Sequence, residues 1–118
     1  MSEGYLTTHV LDTGLGRPAA GLKILLRRHT GDGYDTIKTM VTNADGRTDA
    51  PILPKDEFAF GTYVLHFYAG DYLRATGQIG EGAHFLEEIP IRFGLTEEDH
   101  YHVPLLLSPF GYSTYRGS

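Results

Sequence analysis

The apolar stretches of this chain are short, and their brevity limits what it can fold into. Almost every one alternates with polar residues and is closed by Gly, Pro, Asp or Asn, the signature of half-buried strands joined by tight reversals. Strands are expected over Tyr5 to Leu11, Leu22 to His29, Tyr34 to Thr42, Arg47 to Ala50, Thr62 to Tyr68, Glu87 to Phe93, Tyr101 to Leu107 and Tyr112 to Arg116. The reversals "TGDGY" and "NADGR" contain the Asp-Gly pair that tight turns use for positive φ. One helix is expected at "GDYLRATG", with Asp71 capping its first turn and Gly77 ending it in a left-handed conformation. About eight short strands and one short helix predict a mainly β fold, a sandwich of two antiparallel sheets. The 118 residues show no internal repeat, linker or low-complexity segment, so residues 1–118 are expected to form one domain.

Composition removes several function classes. There is no cysteine, which excludes disulfides, thiolate metal sites and a cysteine nucleophile. The net charge is −5 with no basic block, and Lys23, Arg27, Arg28 and Lys38 are spread among apolar residues as on a solvated sheet face. Nucleic acid is therefore not an expected partner. The opening "MSEGYLTTHVLDTG" lacks the basic and apolar regions of a signal peptide, and no stretch approaches a membrane span. A soluble cytoplasmic protein with no membrane contact is expected.

The six histidines are best sorted by sheet face. In "YLTTHVL", alternation places Leu6, Thr8 and Val10 on one side and Tyr5, Thr7, His9 and Leu11 on the other. In "HYHVPLLL" it places Tyr101, Val103, Leu105 and Leu107 on one side and His100, His102, Pro104 and Leu106 on the other. With the aliphatic sets in the core, His9 and His102 both point away from it. In the last segment Tyr112, Thr114, Arg116 and Ser118 share one face, and Ser113, Tyr115 and Gly117 the other. If these strands form one sheet, its outer face is expected to carry His9, His102, Arg116 and Ser118, with Leu11, Pro104 and Leu106 as an apolar surround. A face that apolar is rarely left in water, so packing on another subunit is expected. Singly, each residue has an ordinary reading. His29, His66, His84 and His100 need no role beyond solubility or a local hydrogen bond, an exposed Arg47 after an Asp-Gly turn is commonplace, and "YRGS" fits a loose end. The set points to a site.

The stretches "THVLDTGLGRPAAGL", "NADGRTDAP" and "HYHVPLLLSPFGYSTYRGS" resemble the transthyretin-related proteins, specifically the 5-hydroxyisourate hydrolases of urate breakdown. The resemblance covers nearly the whole chain, and its most specific element is Tyr115-Arg116-Gly117-Ser118, the ending that separates the hydrolases from the hormone carriers of the same fold. It implies a transthyretin-like sandwich, catalytic histidines at His9 and His102, an arginine at Arg47, and the terminal motif at residues 115–118. It also implies a homotetramer, a dimer of dimers with sites in clefts between outer sheet faces, and no metal or cofactor. Nothing is carried onto "GEGAHFLEEIP".

The chemistry suits these residue types. The implied substrate is flat and oxygen-rich, and opens when water attacks a ring carbonyl and the adjacent C–N bond breaks. Histidine starts closest to the pKa a base needs at neutral pH. A guanidinium at Arg47 or Arg116 offers paired donors to ring oxygens and to the negative charge that attack develops. The Ser118 hydroxyl is expected to bond substrate or water, and Tyr115, Arg116 and Gly117 to line the substrate site. His102 is assigned as general base and His9 as orienting water or relaying a proton, although the residue types fit either order. Three other classes stand beside this reading. An H-x-H pair, His100 and His102, with His9 suggests zinc, but no carboxylate sits at an obvious ligand spacing. A non-catalytic small-molecule carrier leaves the charged and titratable residues unexplained. A structural sandwich leaves the terminal motif idle.

Overall fold

The computed structural model of the chain describes residues 3–117. In chain order the elements are β1 (Tyr5–Asp12), β2 (Arg17–Pro18), β3 (Lys23–Thr30), β4 (Gly33–Val41), β5 (Gly61–Phe67), α1 (Ala69–Ala75), β6 (Ile89–Leu95), β7 (His100–Ser108) and β8 (Gly111–Thr114). They form two four-stranded sheets, ordered β2-β1-β7-β8 and β4-β3-β5-β6, the mainly β sandwich that the alternation predicts.

The core is where the inner faces meet. Leu6 and Val10 of β1 and Leu105 and Leu107 of β7 are fully buried, as are Ile24 and Leu26 of β3 and Leu65 and Phe67 of β5. Each such side chain contributes about 1.5–3 kcal/mol by leaving water, which fixes register, because a one-residue slip would turn every one of them outward. Thr7, His9, His100 and His102 then lie on the outer face by necessity, and all four are only partly buried.

The sheets are antiparallel except at one place: β1 and β7 run parallel, pairing Tyr5 with His100, Thr7 with His102 and His9 with Pro104. Parallel neighbours need a long connection, and here nearly the whole chain supplies it. A strand is expected over Arg47 to Ala50, but the segment forms only one isolated bridge, His9 with Arg47, and Leu53 beyond it forms another with Leu6. Local bonds compete with a ladder there: Asn43 Nδ2 donates to Asp49 at 2.9 Å and Thr48 Oγ1 to the Ala50 carbonyl at 2.5 Å. The eighth strand is instead β2, two residues beside the end of β1.

The turns divide similarly. Gly46 takes φ 72° as "NADGR" predicts, while the β3–β4 reversal is made without positive φ at Gly31 or Gly33. Helix α1 starts at Ala69, two residues ahead of Asp71, and has no side-chain cap. Asp71 lies inside the first turn and pairs with Arg74 at 2.9 Å. Its end is as expected: Gly77 takes φ 75°, with the Gly77 amide donating to Arg74 O and the Gln78 amide to Leu73 O, both at 3.0 Å, a Schellman closure. The helix braces β1. Fully buried Asp12 accepts from Tyr72 Oη at 2.6 Å, Gln78 Nε2 at 2.8 Å and the Leu15 amide at 2.9 Å. Burial raises the Asp12 pKa, and these donors outweigh it, holding the carboxyl below its usual range.

Candidate active site

The parallel register of β1 and β7 sets two histidines side by side on the outer face. His9 Nδ1 and His102 Nε2 are 2.7 Å apart, and the rings stack with centroids 4.8 Å apart. The other nitrogen of His102, Nδ1, lies 2.8 Å from Thr7 Oγ1, which also contacts His100 Nε2 at 2.6 Å. The Tyr5 ring stacks on His100 at 4.1 Å. Both ring nitrogens of His102 are thus engaged, whereas among the described residues Nε2 of His9 has no hydrogen-bond partner.

Arg47 arrives along the free edge of β1. The Val10 amide donates to Gly46 O at 2.8 Å, and the Asn43 side chain accepts from the amides of Asp45 at 2.9 Å and Arg47 at 3.2 Å. A Cβ at Gly46 would come within 2.4 Å of Val10 O, so only glycine lets the loop lie this close. Among the described residues no side chain or carbonyl takes up the Arg47 guanidinium, which stays exposed. Between this loop and the histidines opens a cleft of about 420 Å³ lined by Tyr5, Thr7, Arg47, Asp49, Pro51 and His102, among others. His100 also lines it, and a second opening of about 380 Å³ lies on the side of His100 toward Asp99, Arg116 and Gly117.

Burial and nearby positive charge favour the neutral forms of His9 and His102. Burial first, then the charges of His9, Arg47 and His100, pull the His102 pKa down to about 4. Burial and then Arg47 lower that of His9.

Of the residues expected in the site, His9, Arg47 and His102 converge. Gly117 joins them: its amide donates to His102 O at 2.7 Å, and a Cβ there would lie 2.9 Å from His102 Cδ2. Arg116 does not. Its guanidinium lies 4.1 Å over the Tyr101 ring and pairs with Asp99 at 3.2 Å, beside the second opening and not in the cleft with Arg47 and His102. The register explains this. Leu106 pairs with Ser113 and Leu105 with Thr114, and directly opposed residues share a face, so the odd-numbered residues of the last segment join the histidines and the even-numbered ones do not. Alternation separates the two sets but not which of them faces out. Tyr115 is 59% exposed, and Ser118 lies outside the described residues. Two participants were not expected, Thr7 and His100, although the alternation that selects His9 and His102 puts both on that face. His66 and His84 have the local roles expected, bonding Glu88 at 2.5 Å and Pro109 O at 2.6 Å.

A family model described as HIUase/Transthyretin family matches residues 6–117. The chain belongs to that family. Within it, a Rhizobium meliloti (strain 1021) protein named 5-hydroxyisourate hydrolase 2 is 60% identical over 116 residues, covering 98% of this chain and 97% of its own. Among solved structures, that of Klebsiella pneumoniae 5-hydroxyisourate hydrolase superposes with a TM-score of 0.81 at 33% identity, over 100% of this chain and 96% of that one. A crystal structure of (S)-allantoin synthase gives a TM-score of 0.89 at 45% identity over 98% of this chain, which spans 44% of that longer chain. The HIUase/Transthyretin match takes in β1 from Leu6 onward, the Arg47 loop, β7 and β8, and so His9, Arg47 and His102.

Proposed function

We propose that this protein hydrolyses 5-hydroxyisourate, adding water across a ring C–N bond to give 2-oxo-4-hydroxy-4-carboxy-5-ureidoimidazoline. The observation that carries the proposal is the convergence of His102 and Arg47 on one cleft, with His9 bonded to His102 at 2.7 Å and bridged to Arg47 through the backbone, in a chain whose relatives bear that activity in their names. The lowered pKa values of the two histidines keep them unprotonated at neutral pH, as a base must be before it takes a proton. The pair acts as one unit, with open Nε2 of His9 meeting the attacking water and His102 receiving the proton from His9. The Arg47 guanidinium, without a partner among the described residues, binds ring oxygens and the developing oxyanion through its forked donors. Arg116 orders the last segment by way of Tyr101 and Asp99, Gly117 seats that segment on His102, and Tyr115 and Ser118 complete the substrate site. No metal or cofactor is required.

The chain is proposed to act as one domain, assembled as a homotetramer, a dimer of dimers. Support comes from the half-buried outer-face side chains Leu11 and Leu106 and from Leu15 and Phe110, which are 43% and 73% exposed; Pro104, expected beside them, is already buried within the single chain. A cytoplasmic location is proposed; among the described residues no helix is long and apolar enough to cross a membrane. Generating 5-hydroxyisourate in place from urate and following its decay with and without the protein tests the reading. Faster decay is expected, and an unchanged rate refutes it.

A further inference from the structure

The hydrogen bonding of the histidine pair continues past His102. Nδ1 of His9 meets Nε2 of His102 at 2.7 Å, Nδ1 of His102 meets Thr7 Oγ1 at 2.8 Å, and Thr7 Oγ1 meets Nε2 of His100 at 2.6 Å. A hydroxyl has a single proton to give and can also accept, and a neutral imidazole gives at one nitrogen and accepts at the other. With neutral rings the row is complete only when all its donors point the same way, toward His100 or toward His9. Passing between these arrangements takes up one proton at the His9 end and frees one at the His100 end.

We infer that His9, His102, Thr7 and His100 form a proton wire that carries the proton of the attacking water from His9 to solvent at His100. The inference rests on the hydrolase reading and gives Thr7 and His100 a part in it. As the water oxygen bonds to the carbonyl carbon, one of its protons goes to Nε2 of His9. The Nδ1 proton of His9 moves to Nε2 of His102, that on Nδ1 of His102 moves to Thr7 Oγ1, and the Thr7 proton moves to Nε2 of His100. His100 then loses its Nδ1 proton to solvent. The ring C–N bond breaks with its electron pair on nitrogen, the second proton of the water ends on that nitrogen, and the product is a carboxylate. One proton is released per turnover, and the wire takes it away.

Three features favour transit by this route. His100 lines both openings, so its ring spans from the cleft to a second exit. A proton resting on His102 is opposed by burial and by neighbouring positive charge, which suits a group that protons cross without stopping. The second opening holds Asp99 and Arg116, a carboxylate able to receive and a cation able to hurry departure. The charged and titratable groups facing the wire are Arg47 and Asp49 in the first cleft, and Asp99 and Arg116 in the second, with Tyr5 stacked on His100.

The test uses Thr7→Val, which keeps the shape and removes the hydroxyl, His100→Gln, and Thr7→Ser, which restores the hydroxyl. In a weak, non-nucleophilic buffer Thr7→Val and His100→Gln are expected to lose ~10²-fold in kcat, the lower end of general acid–base contributions, with KM nearly unchanged. Added imidazole should return part of that loss, and Thr7→Ser should recover most of it, while native turnover ignores imidazole. Native kcat in both cut variants, or a loss that neither imidazole nor Thr7→Ser relieves, overturns the wire and leaves the hydrolase reading standing. If the native protein itself fails to open 5-hydroxyisourate, that reading falls instead. Nitrogen-15 spectra then judge the wire without turnover: tautomers at His9, His102 and His100 that change together in Thr7→Val uphold it, and tautomers that ignore the hydroxyl overturn it.

Discussion

His102 is held on three sides, by Thr7 at Nδ1, His9 at Nε2 and Gly117 against its ring. Replacing it with Asn keeps much of the shape and removes the titrating nitrogen, so His102→Asn should fold and lose ~10²–10⁴-fold in turnover, read from the decay of 5-hydroxyisourate. A fully active variant would remove His102 from the mechanism. The same surroundings make stability depend on pH. With the folded pKa near 4 against an ordinary 6.5, the unfolded chain binds more protons between those values. Stability from this group is therefore fully present above about pH 6.5 and is lost as pH falls toward 4. Native Tm should drop across that window and the His102→Asn slope should be shallower; parallel slopes would contradict it. At this scale the sequence was legible where one alternation rule sufficed, as for His9 and His102, and silent on partnership. Nothing in "YLTTHVL" says that the Thr7 hydroxyl, a surface group by pattern, bridges two imidazoles.

At the scale of elements, the loop after β4 shows how a position can be readable when its conformation is not. "NADGR" marks a reversal and places Arg47 just after it, but the strand expected over Arg47 to Ala50 yields to side-chain bonds within the loop. Asn43 is the pin, accepting from two amides of the turn. Asn43→Ala leaves those amides to water and should cost about 1–2 kcal/mol. The Arg47 guanidinium would then sample positions away from His9, so kcat/KM should fall by more than that stability loss implies, with KM rising. Scanning calorimetry alongside kinetics checks the comparison, and an unchanged KM would place Arg47 outside substrate binding. The last segment gives the opposite lesson. Its alternation is plain from Tyr112 to Gly117, yet only the pairing of Leu106 with Ser113 decides that Arg116 turns toward Tyr101.

For the whole molecule, the two-sheet class followed from turn spacing and alternation, whereas the parallel β1–β7 pair did not, because no local pattern reports which distant strands meet. Assembly can be probed from the same face. Leu106→Glu puts a charge where a partner is proposed to pack, and a buried unpaired charge costs several kcal/mol. Light scattering should show tetramers splitting, with turnover falling in step; a monomer of native activity would mean that one subunit holds a complete site. The pairing of β1 with β7 also has a kinetic side. His9 and His102 are separated by 93 positions, so they meet only when almost the entire polypeptide has been closed into a loop, an entropic toll that local hairpins such as β3–β4 escape. Refolding from denaturant should accordingly show strand circular dichroism returning first and hydrolysis last, in a phase slowed by weakening Leu6 or Leu105. Should activity return with the earliest ellipticity, closure of the two ends is the nucleus of folding and not its final event.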